Sequence, residues 1–125
     1  RSKPLYHAQA SVRRYGGTVQ CYLPIHNFFD SSKQCLADVR HRAILHSSFG
    51  IFLLERVFGE YITNSEGKRV CVRDLGEEHV IEDLGTIPSM EQWLRNLPIE
   101  PWMTSARHKK IIKTTHINFD DVNVD

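Results

Sequence analysis

The segment spanning residues 39–58 most constrains the fold. From Ile44 onward it carries Ile44, Leu45, Phe49, Ile51, Phe52, Leu53, Leu54, Val57 and Phe58. At about 100° per residue these side chains cover most of a helix circumference. A helix apolar nearly all round is a central one, packed by neighbours on several sides. Asp38 suits its N-cap, since a carboxylate there accepts an unpaired backbone N–H, and Gly59 is a natural stop. Gly50 costs about 1 kcal/mol of helix propensity relative to alanine, which points to a close backbone approach. The chain is therefore expected to be α+β but mostly α: a small helical domain around a long central helix, with one β-hairpin.

Other elements follow from local signals. Residues 1–17 read as an extended arm ending at the breaker Gly16-Gly17. Leu23-Pro24 opens a helix, proline being tolerated in a first turn, and Ile25, Phe28, Phe29 and Leu36 recur at helical spacing over 23–36. Tyr61-Ile62-Thr63 and Arg69-Val70-Cys71-Val72 flank the turn-rich Asn64-Ser65-Glu66-Gly67, a hairpin pattern. Gly76 precedes a helical segment over 77–84, ended by Gly85. Ser89 with Gln92 three residues on is a capping box for a helix carrying Met90, Trp93, Leu94 and Leu97 inward and stopping at Pro98. Pro101-Trp102-Met103 is expected to dock back on the body. Residues 1–103 thus form one globular domain. Residues 104–125, with Arg107-His108-Lys109-Lys110 and an acidic end, read as a C-terminal tail.

Composition narrows the function classes. A formal charge of +1 over 125 residues gives no overall drive toward nucleic acid or an anionic membrane. Cys21, Cys35 and Cys71 are odd in number and contain no CxxC pair, which argues against a disulfide framework and for a reducing, intracellular compartment. Their expected role is as small buried hydrophobes. The longest apolar run, Gly50-Ile51-Phe52-Leu53-Leu54, is far short of the roughly 18 residues a membrane span needs. The first residue is Arg1 rather than Met, so an organellar or virion-associated location with a removed leader is compatible with the chain.

The chemistry-bearing residues concentrate on the helices. On a continuous helix His41, Ser48 and Glu55, seven residues apart, fall within about 40° of one line, a polar seam in a packing face. His26 and Asp30 form an i, i+4 pair on the preceding helix, and His79 and Asp83 another. Burying imidazole and carboxylate is costly unless each is paired or bound to a metal. His26, Asp30, His41, Glu55 and His79 are thus the candidate ligands for one divalent transition metal, zinc, manganese or iron by donor type. Such an ion lowers the pKa of bound water, and Lys33 or Arg42 could hold an anionic substrate group. The competing reading makes the seam a buried hydrogen-bonded network without metal. Arg107, Lys109 and Lys110 are candidates for binding a protein partner. Nucleic acid, through Arg13, Arg14, Arg40, Arg42 and the Lys109-Lys110 end, is the weaker choice.

The runs Pro4-Leu5-Tyr6-His7-Ala8, Tyr22-Leu23-Pro24-Ile25-His26-Asn27-Phe28-Phe29-Asp30, Arg40-His41-Arg42-Ala43, His46, Gly50-Ile51-Phe52, His79-Val80, Glu82-Asp83-Leu84-Gly85 and Pro101-Trp102-Met103 carry a resemblance. Over about residues 4–103 the chain resembles an uncharacterised family of small bacterial and phage proteins, filed as a domain of unknown function. The resemblance implies a fold unit and no assigned activity. It further implies that the tail is an addition, and that Ser47 and Tyr6 stand where relatives often carry histidine. The expected function is a non-catalytic accessory or structural subunit of a larger assembly, contacting its partner through the tail. The alternative is a small divalent-metal enzyme, a hydrolase of phosphorylated or nucleotide-like substrates.

Overall fold

The structure is a computed structural model and describes residues 3–104. Six α-helices and one two-stranded antiparallel hairpin follow in the order α1 (Pro4–Tyr15), α2 (Val19–Phe29), α3 (Arg42–Leu45), α4 (Ser48–Phe58), β1 (Tyr61–Thr63), β2 (Arg69–Cys71), α5 (Val72–Leu84) and α6 (Met90–Leu94). Short 3-10 turns lie at Ser31–Gln34, Val39–His41 and Pro101–Met103. The expected class, a small mostly-α α+β domain, is what is found.

The N-terminal segment is helix, not an arm. Pro4 sits in the first turn and Gly16, at φ 82°, ends α1. Its buried face is Pro4, His7, Ala8 and Ser11, a helical i, i+3, i+4, i+7 stripe made of small and polar residues, which a search for apolar periodicity passes over. Gly16 and Gly17 both take positive φ and turn the chain into α2. The Tyr22 hydroxyl donates to the Gly16 carbonyl (2.7 Å), and the Asn64 amide donates to the Tyr15 carbonyl and the Tyr22 hydroxyl (3.1 Å each).

Helix α2 begins four residues before the expected start, leaving Pro24 in its interior. Proline removes the bond to the carbonyl four residues back, that of Gln20. Both residues are exposed, so water can satisfy that carbonyl. The helix ends at Phe29 rather than 36, where the Ser31 hydroxyl takes the Phe28 carbonyl (2.7 Å) and the Ser32 hydroxyl reaches across to the His41 carbonyl (2.7 Å).

Residues 39–58 divide into a 3-10 turn, α3 and α4. Asp38 caps the turn through the Arg40 amide. The break falls at His46-Ser47, where Ser47 is extended (φ −157°, ψ 168°) and caps α4 by accepting from the Gly50 amide. The freed groups find partners: the Trp93 indole donates to the His46 carbonyl (2.7 Å) and the Ser48 amide to the Pro88 carbonyl (2.9 Å). Gly50 is required here because a Cβ would overlap the Leu45 backbone carbonyl. Helix α4 consequently buries Gly50, Ile51 and Leu54 and leaves Phe49, Phe52 and Val57 about half exposed. It is not apolar-packed all round.

The hairpin pairs Tyr61 with Cys71 and Thr63 with Arg69, its turn closed by the Asn64 side chain accepting from the Glu66 and Lys68 amides. Helix α5 starts directly at Val72, earlier than 77, and Gly76 lies inside it. A Cβ there would stand 2.9 Å from Leu54 Cδ2, so the glycine lets α5 close on α4. Tyr22, Ile25, Phe29, Leu54, Leu75 and Val80 form the core beneath these contacts. The Ser89–Gln92 capping box is present, but Leu94 and Leu97 are exposed. Trp102 is 67% exposed, so the 101–103 segment does not dock back. Cys35 is exposed, and Cys21 and Cys71 are half-buried, not the core hydrophobes expected of them. No helix among the described residues is long and apolar enough to cross a membrane.

Candidate metal centre

All five histidines among the described residues, His7, His26, His41, His46 and His79, are buried. With Asp30 and Asp83, whose side chains are 4% and 2% exposed, they form one cluster inside the helices. Helix α1 contributes His7, and α2 contributes His26 with Asp30 one turn later at its C-cap. The 3-10 turn and the α3 end contribute His41 and His46, and α5 contributes His79 and Asp83, again one turn apart. The donor atoms of His7, His26 and His79 lie within 4.8 Å of one another, and so do those of Asp30, His46 and His79.

Most rings have one nitrogen fixed by an outer partner. His7 Nδ1 meets Glu82 (2.6 Å), a carboxylate held from outside by Arg14 (2.9 Å), while Nε2 faces Asp83 Oδ1 (3.2 Å). His41 Nδ1 donates to the Asp38 carbonyl (2.8 Å), turning Nε2 toward Asp30 (3.1 Å). His26 Nε2 meets the Ser11 hydroxyl (2.9 Å). His46 Nε2 meets Asp83 Oδ2 (2.9 Å). An imidazole anchored on one nitrogen so that the other points inward is how proteins orient metal-binding histidines.

Proton placement in this cluster turns on the Ser11 hydroxyl. Given to His26 Nε2 (2.9 Å), its proton lets His26 Nδ1–H donate to His79 Nδ1 and His79 Nε2–H face Asp83; given to the His7 carbonyl (3.1 Å), it makes Ser11 accept from His26 Nε2–H. The lone pair of neutral His26 is then on Nδ1, 2.9 Å from His79 Nδ1. If His79 carries its proton on Nε2, two lone pairs face each other at that distance. If it carries the proton on Nδ1, the bare Nε2 faces Asp83 Oδ2 at 3.4 Å with no hydrogen bond. A doubly protonated ring would satisfy both sides, but burial pushes the His79 imidazole down to about 4, His7 and His46 adding to this against the pull of Asp83. Burial, then His79 and His7, hold His26 well below the ordinary value. His46 Nδ1 is likewise buried without a partner.

Asp83 and His7 are instead held toward their charged forms. Burial opposes the charge on Asp83, yet hydrogen bonds from His46 and His7 and the nearby His79 outweigh it and hold the carboxyl far below the usual range. Burial also opposes charge on His7, but Asp83 and Glu82 together raise its pKa above ordinary. Arg42 lies at the edge, its NH2 group 3.7 Å from Asp83 Oδ1 and its buried Nε without a partner.

Of the residues singled out from sequence, the fold brings His26, Asp30, His41 and His79 together. Glu55 lies elsewhere: its phase relative to His41 presupposed a continuous helix, and it pairs with Arg73 on the surface (3.4 Å). Ser48 is exposed for the same reason. Lys33 is half-buried on the 3-10 turn beyond Asp30. Arg107, Lys109 and Lys110 lie outside the described residues. His7, His46 and Asp83 belong to the cluster and were not among the candidates. The repeated His-x-x-x-Asp spacing on α2 and α5 is the signal that would have added Asp83. Ser47 serves as a helix cap and Tyr6 is exposed.

Neither the comparison with curated proteins nor that with solved structures gave a match. A family model does match, over residues 2–103, and the chain belongs to that family, described as Domain of unknown function (DUF6915).

Proposed function

We propose that this domain binds a divalent transition-metal ion in the cluster of His7, His26, His46, His79, Asp30 and Asp83. The observation that carries this reading is the convergence of two buried donor triads on His79, whose Nε2 has no hydrogen-bond partner. Buried polar atoms are ordinarily satisfied, and an orphan calls for a missing ion or water. A cation between the rings turns their lone pairs into ligands and neutralises the aspartates. Imidazole with carboxylate and no thiolate suits zinc, manganese or iron.

That donor set is typical of ions that activate water, whereas structural zinc sites favour cysteine. The enzyme class it fits is a metal-dependent hydrolase, with Arg42, which lies beside Asp83, as the candidate for holding an anionic substrate group such as a phosphoester. A second reading, a non-catalytic subunit of a larger assembly, is favoured by the exposed aromatic pair Phe49 and Phe52 on α4 (rings 6.1 Å apart) and by exposed Trp102.

Elemental analysis of natively purified protein tests the metal. Near-stoichiometric zinc, manganese or iron that is lost in His79→Ala supports the proposal. A folded, metal-free protein that takes up none of these ions on titration overturns it. Hydrolysis of a generic phosphoester, abolished by chelation and restored by the ion, separates the enzyme from the subunit.

A further inference from the structure

We propose that the cluster holds two metal ions bridged by the Asp83 carboxylate, a reading that rests on the metal-binding proposal above. The six side chains of that cluster exceed what one four-coordinate ion uses. Their donors fall into two overlapping triads, His7–His26–His79 and Asp30–His46–His79. The shared member cannot serve both, because a neutral imidazole ligates through one nitrogen.

Asp83 supplies the missing donor. Its two oxygens diverge: Oδ1 faces His7 Nε2 (3.2 Å), in the first triad, and Oδ2 faces His46 Nε2 (2.9 Å), in the second. Oδ2 also stands 3.4 Å from His79 Nε2. A carboxylate with one oxygen in each triad is the geometry of a bridging ligand, and ions held in pairs of this kind lie about 3.5–4 Å apart. Two ions at that spacing clamp both the attacking and the leaving oxygen of a phosphoryl displacement, which would make a phosphate ester the substrate class.

Zinc titration of the chelator-treated full chain against a competing indicator tests the bridge. The wild-type chain is expected to take two equivalents, and His7→Gln, His46→Gln and Asp83→Asn at most one each. Cobalt(II) loaded into the wild type should give a spin-coupled magnetic signal, a readout that does not depend on any variant folding. One equivalent of zinc with an uncoupled cobalt signal overturns the bridge and leaves a single-ion site. Two equivalents retained in all three variants place the second ion elsewhere and also overturn it. No bound zinc or cobalt overturns this inference together with the reading beneath it.

Discussion

Lowering the pH of the metal-free domain from 6.5 toward 4 should unfold it progressively, and the buried histidines set the size of the effect. His79 has an ordinary value of 6.5 and is pushed down to about 4 in the folded state. Below pH 6.5 the unfolded chain binds a proton there and the folded chain does not, so stability falls as pH falls. At 1.36 kcal/mol per unit the loss from His79 reaches about 2 kcal/mol by about pH 5 and roughly 3 kcal/mol by pH 4. The ring is fully buried, so solvent screening does not reduce this. His26 is shifted the same way and steepens the slope.

One opposite shift lies inside the window: burial raises Glu78 above 4.5, which offsets part of the loss as pH falls toward that value. His7 is raised, so its contribution is fully present below 6.5 and is lost only as pH rises through its folded value. Asp83 is depressed from 3.8, and its contribution stays intact until pH falls below 3.8. Against a typical total of about 5–15 kcal/mol, a loss of this size is readily measured. Urea denaturation followed by far-UV circular dichroism at half-unit pH steps, with chelator present, gives the slope. His79→Gln should remove close to one proton's worth of it, even if the variant is less stable throughout. A flat profile between pH 6.5 and 4.5, or a slope unchanged in His79→Gln, would refute the reasoning.

Other outcomes follow from the same geometry. Zinc at a hundred times its dissociation constant should stabilise the wild-type domain by about 2.7 kcal/mol, read as a rise in thermal midpoint, and the rise should shrink in Asp30→Asn combined with His46→Gln, which removes one donor triad and leaves the other. Glu55→Gln should leave bound metal unchanged, because Glu55 pairs with Arg73 outside the cluster; metal loss in that variant on elemental analysis would contradict the assignment. Gly50→Ala drives a methyl into the Leu45 carbonyl and should cost about 3 kcal/mol or more, measured by urea denaturation. Ser47→Ala removes the α4 cap and should cost about 1 kcal/mol without changing metal stoichiometry.

Local signals in the chain were sufficient for much of the fold. The Asn64–Gly67 turn, the Ser89 capping box, the Asp38 cap and the stops at Gly59 and Gly85 depend on neighbours within a few residues, and all are found. Helix α1 was not legible as helix because its buried stripe is histidine, alanine and serine, residues whose burial is compensated by distant hydrogen bonds rather than by hydrophobicity. The end of α2 was misplaced because Leu36 continues the apolar recurrence past it, while the bond that closes the helix, from the Ser31 hydroxyl to the Phe28 carbonyl, has no strong sequence signal.

The 39–58 segment carries both halves of this lesson. Its apolar content did determine that part of it packs in the core, and Gly50 did mark a close backbone approach. The approach, however, is to the Leu45 carbonyl across a break at His46-Ser47, and that break swings His46 into the cluster while releasing Glu55 to the surface. Within the chain, the i, i+4 pairs His26–Asp30 and His79–Asp83 were set by helical periodicity alone. Only the tertiary structure could join them to His7, whose carboxylate partners lie 75 and 76 residues away. Periodicity orients side chains on one helix, whereas a buried polar cluster exists only where separate helices satisfy one another's hydrogen bonds and charges.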